Sequence, residues 1–212
     1  MKKGIIFDMD GTLWDSAPEV VASWNEVIRQ SDYQREPLTA EDMQSVMGKT
    51  MDVIADILFY DLPKETRMEL LDRCGEYENE YLREHGGTLY PKIRETMEVL
   101  KKKYHLYIVS NCQSGYIEAF LDHYNFHDLI EDIECYGNNE KSKGENIALL
   151  YQRNGLNDAV YVGDIQGDYD SSRQAGIKFI HAAYGFGKIR EEVPEIHSFE
   201  ELIGEADRVL GS

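Results

Sequence analysis

The chain has 212 residues, 42% hydrophobic and 29% charged, which is enough for a core domain with a modest insert. Its 40 acidic residues against 22 basic ones give a net charge of −18, the wrong sign for nucleic acid as a partner. No run approaches the ~18 apolar residues of a membrane span, and three scattered cysteines outside any C-x-x-C pattern point to free thiols in a reducing, cytoplasmic setting.

Met1-Lys2-Lys3 and the apolar residues after it resemble the start of a signal peptide, but Asp8 and Asp10 cut the run short. Ile5-Ile6-Phe7 reads instead as a buried strand that ends in two aspartates with one residue between them. Strand alternation points Asp8 and Asp10 the same way, with Met9 turned aside. Two carboxylates at a buried strand end are costly unless a cation faces them, and hard divalent cations choose oxygen ligands. Gly11 then permits a sharp turn. A surface Asp-Gly turn would need neither the second aspartate nor the buried lead-in.

Ser16 and Pro18 predict a helix start, with Ser16 as the cap. Val20, Val21, Trp24, Val27 and Ile28 follow at helical spacing and form one apolar face. A polar loop over Gln34–Leu38 leads to a second helical pattern at Met43, Val46 and Met47, broken at Gly48-Lys49-Thr50. Asp52–Tyr60 and Lys64–His85 also read as helices, so residues 15–86 form a helical insert without a convincing strand, closed by Gly86-Gly87.

Beyond Leu89 the pattern alternates. Helices are expected over Ile93–Lys103, Tyr116–Tyr124 and Ser171–Ala175. Strands are expected at Leu106–Val109, Ile133–Tyr136, Ala159–Val162 and Lys178–Tyr184, with an amphipathic helix closing the chain from Phe199 to Leu210. Alternation of this kind predicts an α/β core, a doubly wound (Rossmann-like) parallel sheet built from residues 1–14 and 87–212.

In such sheets ligands bind at the carboxyl ends of the strands. Those ends carry Asp8 and Asp10, then Ser110, then Asp164. Ser142 and Glu145 have the spacing of a capping box, which starts a helix with Lys143 at its first position and adds a side-chain cation to the positive helix end. Lys141, two residues earlier, is the rival; the capping pattern favours Lys143. Asp168 lies one helical turn past Asp164 and can face the same centre. Magnesium, which takes few carboxylates together with waters and phosphate oxygens, would relieve the repulsion among them.

Asp8-x-Asp10-Gly11-Thr12-Leu13-x-Asp15-Ser16, Ser110, Lys143 and Gly163-Asp164-x-x-x-Asp168 occur in the order of the four motifs of the haloacid dehalogenase superfamily, and over essentially the whole chain the sequence resembles its phosphoglycolate phosphatase-like branch. The insert resembles that superfamily's C1 helical cap. The resemblance implies a magnesium-dependent phosphatase acting on a small phosphorylated metabolite. It implies Asp8 as nucleophile forming an aspartyl-phosphate and Asp10 as general acid and then base, oriented by Thr12. It also implies Ser110 and Asn111 on the phosphoryl oxygens and Lys143 on the developing charge. The metal would be held by Asp8, the backbone carbonyl of Asp10 and Asp164, with Asp168 close by or through water. Ile165 departs from the pattern, standing where a small hydroxyl residue is common.

Dehalogenation is disfavoured, since dehalogenases lack an aspartate at the place of Asp10. Two alternatives stay open: a phosphomutase of the β-phosphoglucomutase type, and a catalytically silent protein on the same fold. Lys49 is either a substrate contact reaching into the crevice or an exposed loop lysine. His123 and His127, four apart, read as solvated or core-satisfied rather than zinc ligands, and Cys112 as a small buried hydrophobe. The sequence carries no signal of oligomeric state.

Overall fold

A computed structural model describes residues 1–211. Its main layer is a six-stranded sheet in the order β5-β4-β1-β6-β7-β8, and every neighbouring pair runs parallel. The strands are β1 (Lys3–Phe7), β4 (His105–Ser110), β5 (Asp132–Cys135), β6 (Asp158–Gly163), β7 (Lys178–Ala182) and the short β8 (Glu195–Ile196). β1 lies between β4 and β6, so the chain order reverses there, and that reversal opens a crevice at the strands' carboxyl ends.

Helices α5 (Ile93–Leu100), α6 (Tyr116–Tyr124), α7 (Tyr136–Asn139), α8 (Lys143–Arg153), α9 (Gln166–Ala175) and α10 (Leu202–Leu210) complete the core-side elements. The strands are buried on both faces because helices cover both. Ile5, Phe7, Ile108 and Val160 belong to one apolar cluster, while Ile6, Tyr107, Val109 and Tyr161 belong to the other. That two-sided burial explains why β1 and β6 read as unbroken apolar runs rather than alternating ones.

Between β1 and β4 the chain makes four helices, α1 (Ala17–Arg29), α2 (Ala40–Gln44), α3 (Met51–Leu58) and α4 (Lys64–His85). Val20, Trp24, Val27 and Ile28 of α1 are buried, as their spacing predicts. Two differences from the sequence reading arise here. A two-stranded antiparallel ribbon, β2 (Trp14–Asp15) with β3 (Thr88–Leu89), joins the start and the end of the helical stretch. Two-residue strands have no period to read, so only the pairing reveals them. Ser16 stands at the N-cap of α1, yet its side chain makes no capping bond; the Asp15 carboxylate accepts from the Ala17 N–H instead, at 3.0 Å.

Smaller differences are shifts of element ends. The helix predicted from Ser171 begins at Gln166, and that predicted over Ile93–Lys103 gives way to turns after Leu100. The first of these matters, because it places Asp168 inside α9 rather than in the loop before it.

Candidate active site

Asp8 is the first residue after β1, and Ser110 and Gly163 are the last residues of β4 and β6. Parallel pairing holds these ends level, with Phe7 opposite both Ile108 and Val162. Three chain segments, 102 and then 54 positions apart along the chain, therefore place Asp8, Ser110 and Asp164 around one point. Asp8, Ser110, Asp164, Asp168 and Lys143 are all at least nine-tenths buried.

Lys143 anchors this cluster. The capping box at Ser142 and Glu145 forms as predicted, through Oγ to the Glu145 N–H at 3.3 Å and the Glu145 carboxylate to the Ser142 N–H at 3.0 Å. From the first turn of α8, the Lys143 ammonium donates to Asp8 Oδ1 at 2.9 Å and to Asp168 Oδ1 at 2.6 Å. Burial opposes its charge, but Asp168 and Asp8 outweigh burial and hold it protonated. Lys141 is exposed, its backbone N–H bonded to Asn139, so it is Lys143 that the fold turns inward.

The other Asp168 oxygen accepts from the N–H groups of Asp164 and Ile165, at 3.0 and 3.1 Å. Asp168 thus caps its own helix while fixing Lys143. It also fixes the turn carrying Asp164, whose Oδ2 accepts from the Phe186 N–H at 2.7 Å. That last contact comes from the loop after β7, which the sequence reading did not single out. Gly185 of the same loop lies so close to Asp164 that a Cβ there would meet its side chain at 2.4 Å. Gly11, at φ +79°, is equally constrained, with Asp164 Oδ2 2.2 Å from any added Cβ. A Gly-x-Gly pair after a strand was the signal available for the loop.

The residues fit a divalent cation. Asp8, Asp164 and Asp168 each offer a carboxylate oxygen, and these oxygens lie within 4.8 Å of one another. Asp164 Oδ1 is buried without a hydrogen-bond partner among the described residues, as an oxygen kept for a ligand would be. Burial, with Asp168 and Asp8 adding repulsion, pushes the Asp164 carboxyl up to about 8. Burial and Asp168 likewise push Asp8 up to about 7 against the pull of Lys143. A bound cation would lower both carboxyls again.

Asp10 is held differently. Its Oδ1 accepts from the Ser16 hydroxyl at 2.6 Å and the Tyr116 hydroxyl at 2.7 Å, while its other oxygen, among the described residues, accepts nothing. Burial raises this carboxyl to about 6, and the two hydroxyls restrain the rise. A carboxyl poised there can give a proton and take one back near neutral pH. Ser16 is therefore drawn from capping α1 into holding Asp10. Tyr116, a hundred residues away, was not legible, because nothing in a helix-starting tyrosine announces its target.

Thr12 does not hold Asp10: its hydroxyl is buried without a partner among the described residues, and its carbonyl accepts from Tyr184 at 2.7 Å. Asn111 donates its side-chain amide to the Gly48 carbonyl at 2.9 Å, tying the crevice edge to the loop between α2 and α3. Lys49, in that loop, is exposed on the rim of the cleft. Ile165 packs there too, leaving a Cβ on Gly48 only 2.6 Å from its Cδ1. The cleft spans about 460 Å³, open solvent at its mouth included. Val20, Trp24, Met43, Met47, Met51 and Ile54 supply its apolar wall, opposite Asp8, Asp10 and Ser110.

Residues 5–182 match the family model of the haloacid dehalogenase-like hydrolases, and the chain belongs to that family. A phosphoglycolate phosphatase of Aliivibrio fischeri is 25% identical, with 93% of this chain and 92% of that protein covered. One from Synechococcus elongatus is 28% identical, over 87% of this chain and 85% of the other. The crystal structure of a predicted phosphatase from Clostridium acetobutylicum shares the fold with a TM-score of 0.79 at 21% identity, over 98% of this chain and 99% of that one.

Proposed function

We propose that this haloacid dehalogenase-like hydrolase is a magnesium-dependent phosphatase of small phosphomonoesters, working through an aspartyl-phosphate on Asp8. The observation that carries the reading is the division of labour between two aspartates two residues apart. Asp8 lies against a buried ammonium and a carboxylate pair fit for a cation, while Asp10 lies against two hydroxyls with one oxygen free. Relatives described as phosphoglycolate phosphatases, aligned over nearly the full chain, support the same chemistry.

In this reading Asp8 attacks phosphorus and Asp10 protonates the departing alcohol, then takes a proton from the water that cleaves the acyl-phosphate. Ser110, at the end of β4, and the Asn111 backbone bind the phosphoryl oxygens. Lys143 meets the charge that develops on them, as phosphoryl transfer requires. Asp8, the Asp10 carbonyl and Asp164 would hold the metal, with Asp168 steadying Asp164 and Lys143. The metal, when bound, neutralises phosphate charge and lets the anionic ester approach an anionic nucleophile.

Residues 1–14 and 87–212 serve as the catalytic core and residues 15–86 as a cap, with Lys49 reaching the substrate from the cap loop. Three buried, free cysteines accord with a reducing cytoplasm, and no helix of the described residues is long and apolar enough to cross a membrane. The test is hydrolysis of p-nitrophenyl phosphate with and without magnesium. Turnover should need the metal and fall at least ~10³-fold in Asp8→Asn, with phosphate trapped on wild-type Asp8 in rapid-quench mass spectra. Undiminished turnover in that variant would remove Asp8 as nucleophile.

A further inference from the structure

The cleft holds one buried carboxylate that the proposed reaction does not use. Glu78, on the inward stripe of α4, is 3% exposed and lines the same cavity as Asp10 and Ser110. Its Oε2 accepts from the Trp24 indole N–H and its Oε1 from the Gln113 amide at 3.1 Å. Both donors are neutral. Burial is the largest influence on this group, the neighbouring Asp10 charge adds to it, and no cation among the described residues offsets it.

A buried carboxylate with neutral donors only is costly for the fold by itself, so its counter-charge is sought in what enters the cleft. The position is also preorganised, because Trp24 fixes the carboxylate from α1 and Gln113 fixes it from the core side. The cleft it lines carries the apolar side chains of Val20, Met43, Met47, Met51 and Ile54, and among the described residues no cation bonds to its carboxylate. Lys49 is a weaker determinant: it sits on the exposed rim, where water screens its charge, whereas Glu78 acts in the dry interior.

We infer that Glu78 selects the leaving group, taking phosphomonoesters of small alcohols that carry an ammonium group and rejecting those that carry a carboxylate. A hydroxyl on the alcohol makes the hydrogen bond without neutralising the charge and ranks second. The inference rests on the phosphatase reading above and narrows it. It also separates this chain from the activity that its relatives are named for, since phosphoglycolate would bring a second anion against Glu78.

The experiment compares kcat/KM for 2-aminoethyl phosphate, 2-hydroxyethyl phosphate, propyl phosphate and phosphoglycolate, with p-nitrophenyl phosphate as the general substrate. Wild type and Glu78→Gln are measured with magnesium. Glutamine keeps the shape, and its amide oxygen can still accept from Gln113, whose NH2 is held in this orientation by Asn79 Oδ1 at 3.1 Å. Wild type should favour the aminoethyl ester over phosphoglycolate by ~100-fold, and Glu78→Gln should bring the two within ~10-fold. A ratio within one preparation is independent of how much of the variant has folded. A wild-type preference for phosphoglycolate, or a ratio unmoved by the substitution, overturns the inference while turnover of p-nitrophenyl phosphate leaves the phosphatase reading standing. No turnover of any ester by wild type overturns both.

Discussion

Two buried carboxylate centres face each other across one cleft, and they are balanced in opposite ways. On the core side Asp8 and Asp168 share the Lys143 ammonium, and Asp168 takes two backbone N–H groups besides. On the side of the helical insert Glu78 has an indole and an amide and, among the described residues, no ion partner. The core cluster is tied together by its own cation and N–H donors before any substrate arrives, so its geometry can be fixed in advance of the chemistry. Glu78 leaves a charge for the ligand to complete, which makes it a means of selection. Removing a charge should therefore have opposite consequences for stability at the two centres.

The largest effect is expected at Lys143. Lys143→Met should lower kcat/KM by ~10² to 10³ or more, because the developing phosphoryl charge loses its buried cation. It should also lower the unfolding free energy in urea by about 3 kcal/mol, because two buried carboxylates lose their shared partner. Retained stability in that variant would break the contrast from the core side.

Asp164 comes next. Magnesium at a hundredfold excess over its dissociation constant should stabilise wild type by about 2.7 kcal/mol, read as a rise in Tm. Asp164→Asn should lose most of that rise, since its unpartnered Oδ1 is the oxygen offered to the ion. An equal rise in wild type and variant would move the metal elsewhere.

The smallest effect, and the opposite sign, belongs to Glu78. Burial pushes its carboxyl from 4.5 up to about 7, so the folded chain holds this proton where the unfolded chain has released it. The protonated group's contribution is present in full below about pH 4.5 and is lost as pH rises through about 7. Glu78→Gln should therefore match wild type near pH 5 and exceed it by about 2 kcal/mol at pH 8 in urea unfolding. A variant weaker than wild type at pH 8 would make Glu78 a structural hydrogen-bond centre and erase the difference between the two sides.

Most of the core was legible because its signals are local. A buried strand that stops at Asp8-x-Asp10, a capping box that begins at Ser142, and an apolar run that ends at Gly163-Asp164 each declare themselves within a few residues. Glu78 was harder to see. Leu71, Cys74, Glu78 and Leu82 lie on one buried stripe of α4, so a carboxylate stands where the helical period asks for an apolar residue. That misfit was visible in the charge-rich helix, yet the residue reads as one solvated acid among many until the stripe is placed.

By itself, then, the sequence determined the parallel core, the insert after the first strand and the chemistry-bearing ends of three strands. Those follow from periodicity and from the few residue types that turns, caps and phosphoryl chemistry tolerate. The tertiary structure alone decided which groups serve the two aspartates of the opening strand. Ser16 turns from the helix it begins, Tyr116 arrives from α6, and Thr12 is left aside. It alone also set Glu78 against the cleft. Hydrogen-bond partners a hundred residues apart are chosen by how helices pack against the sheet, and packing leaves no period in the chain to read.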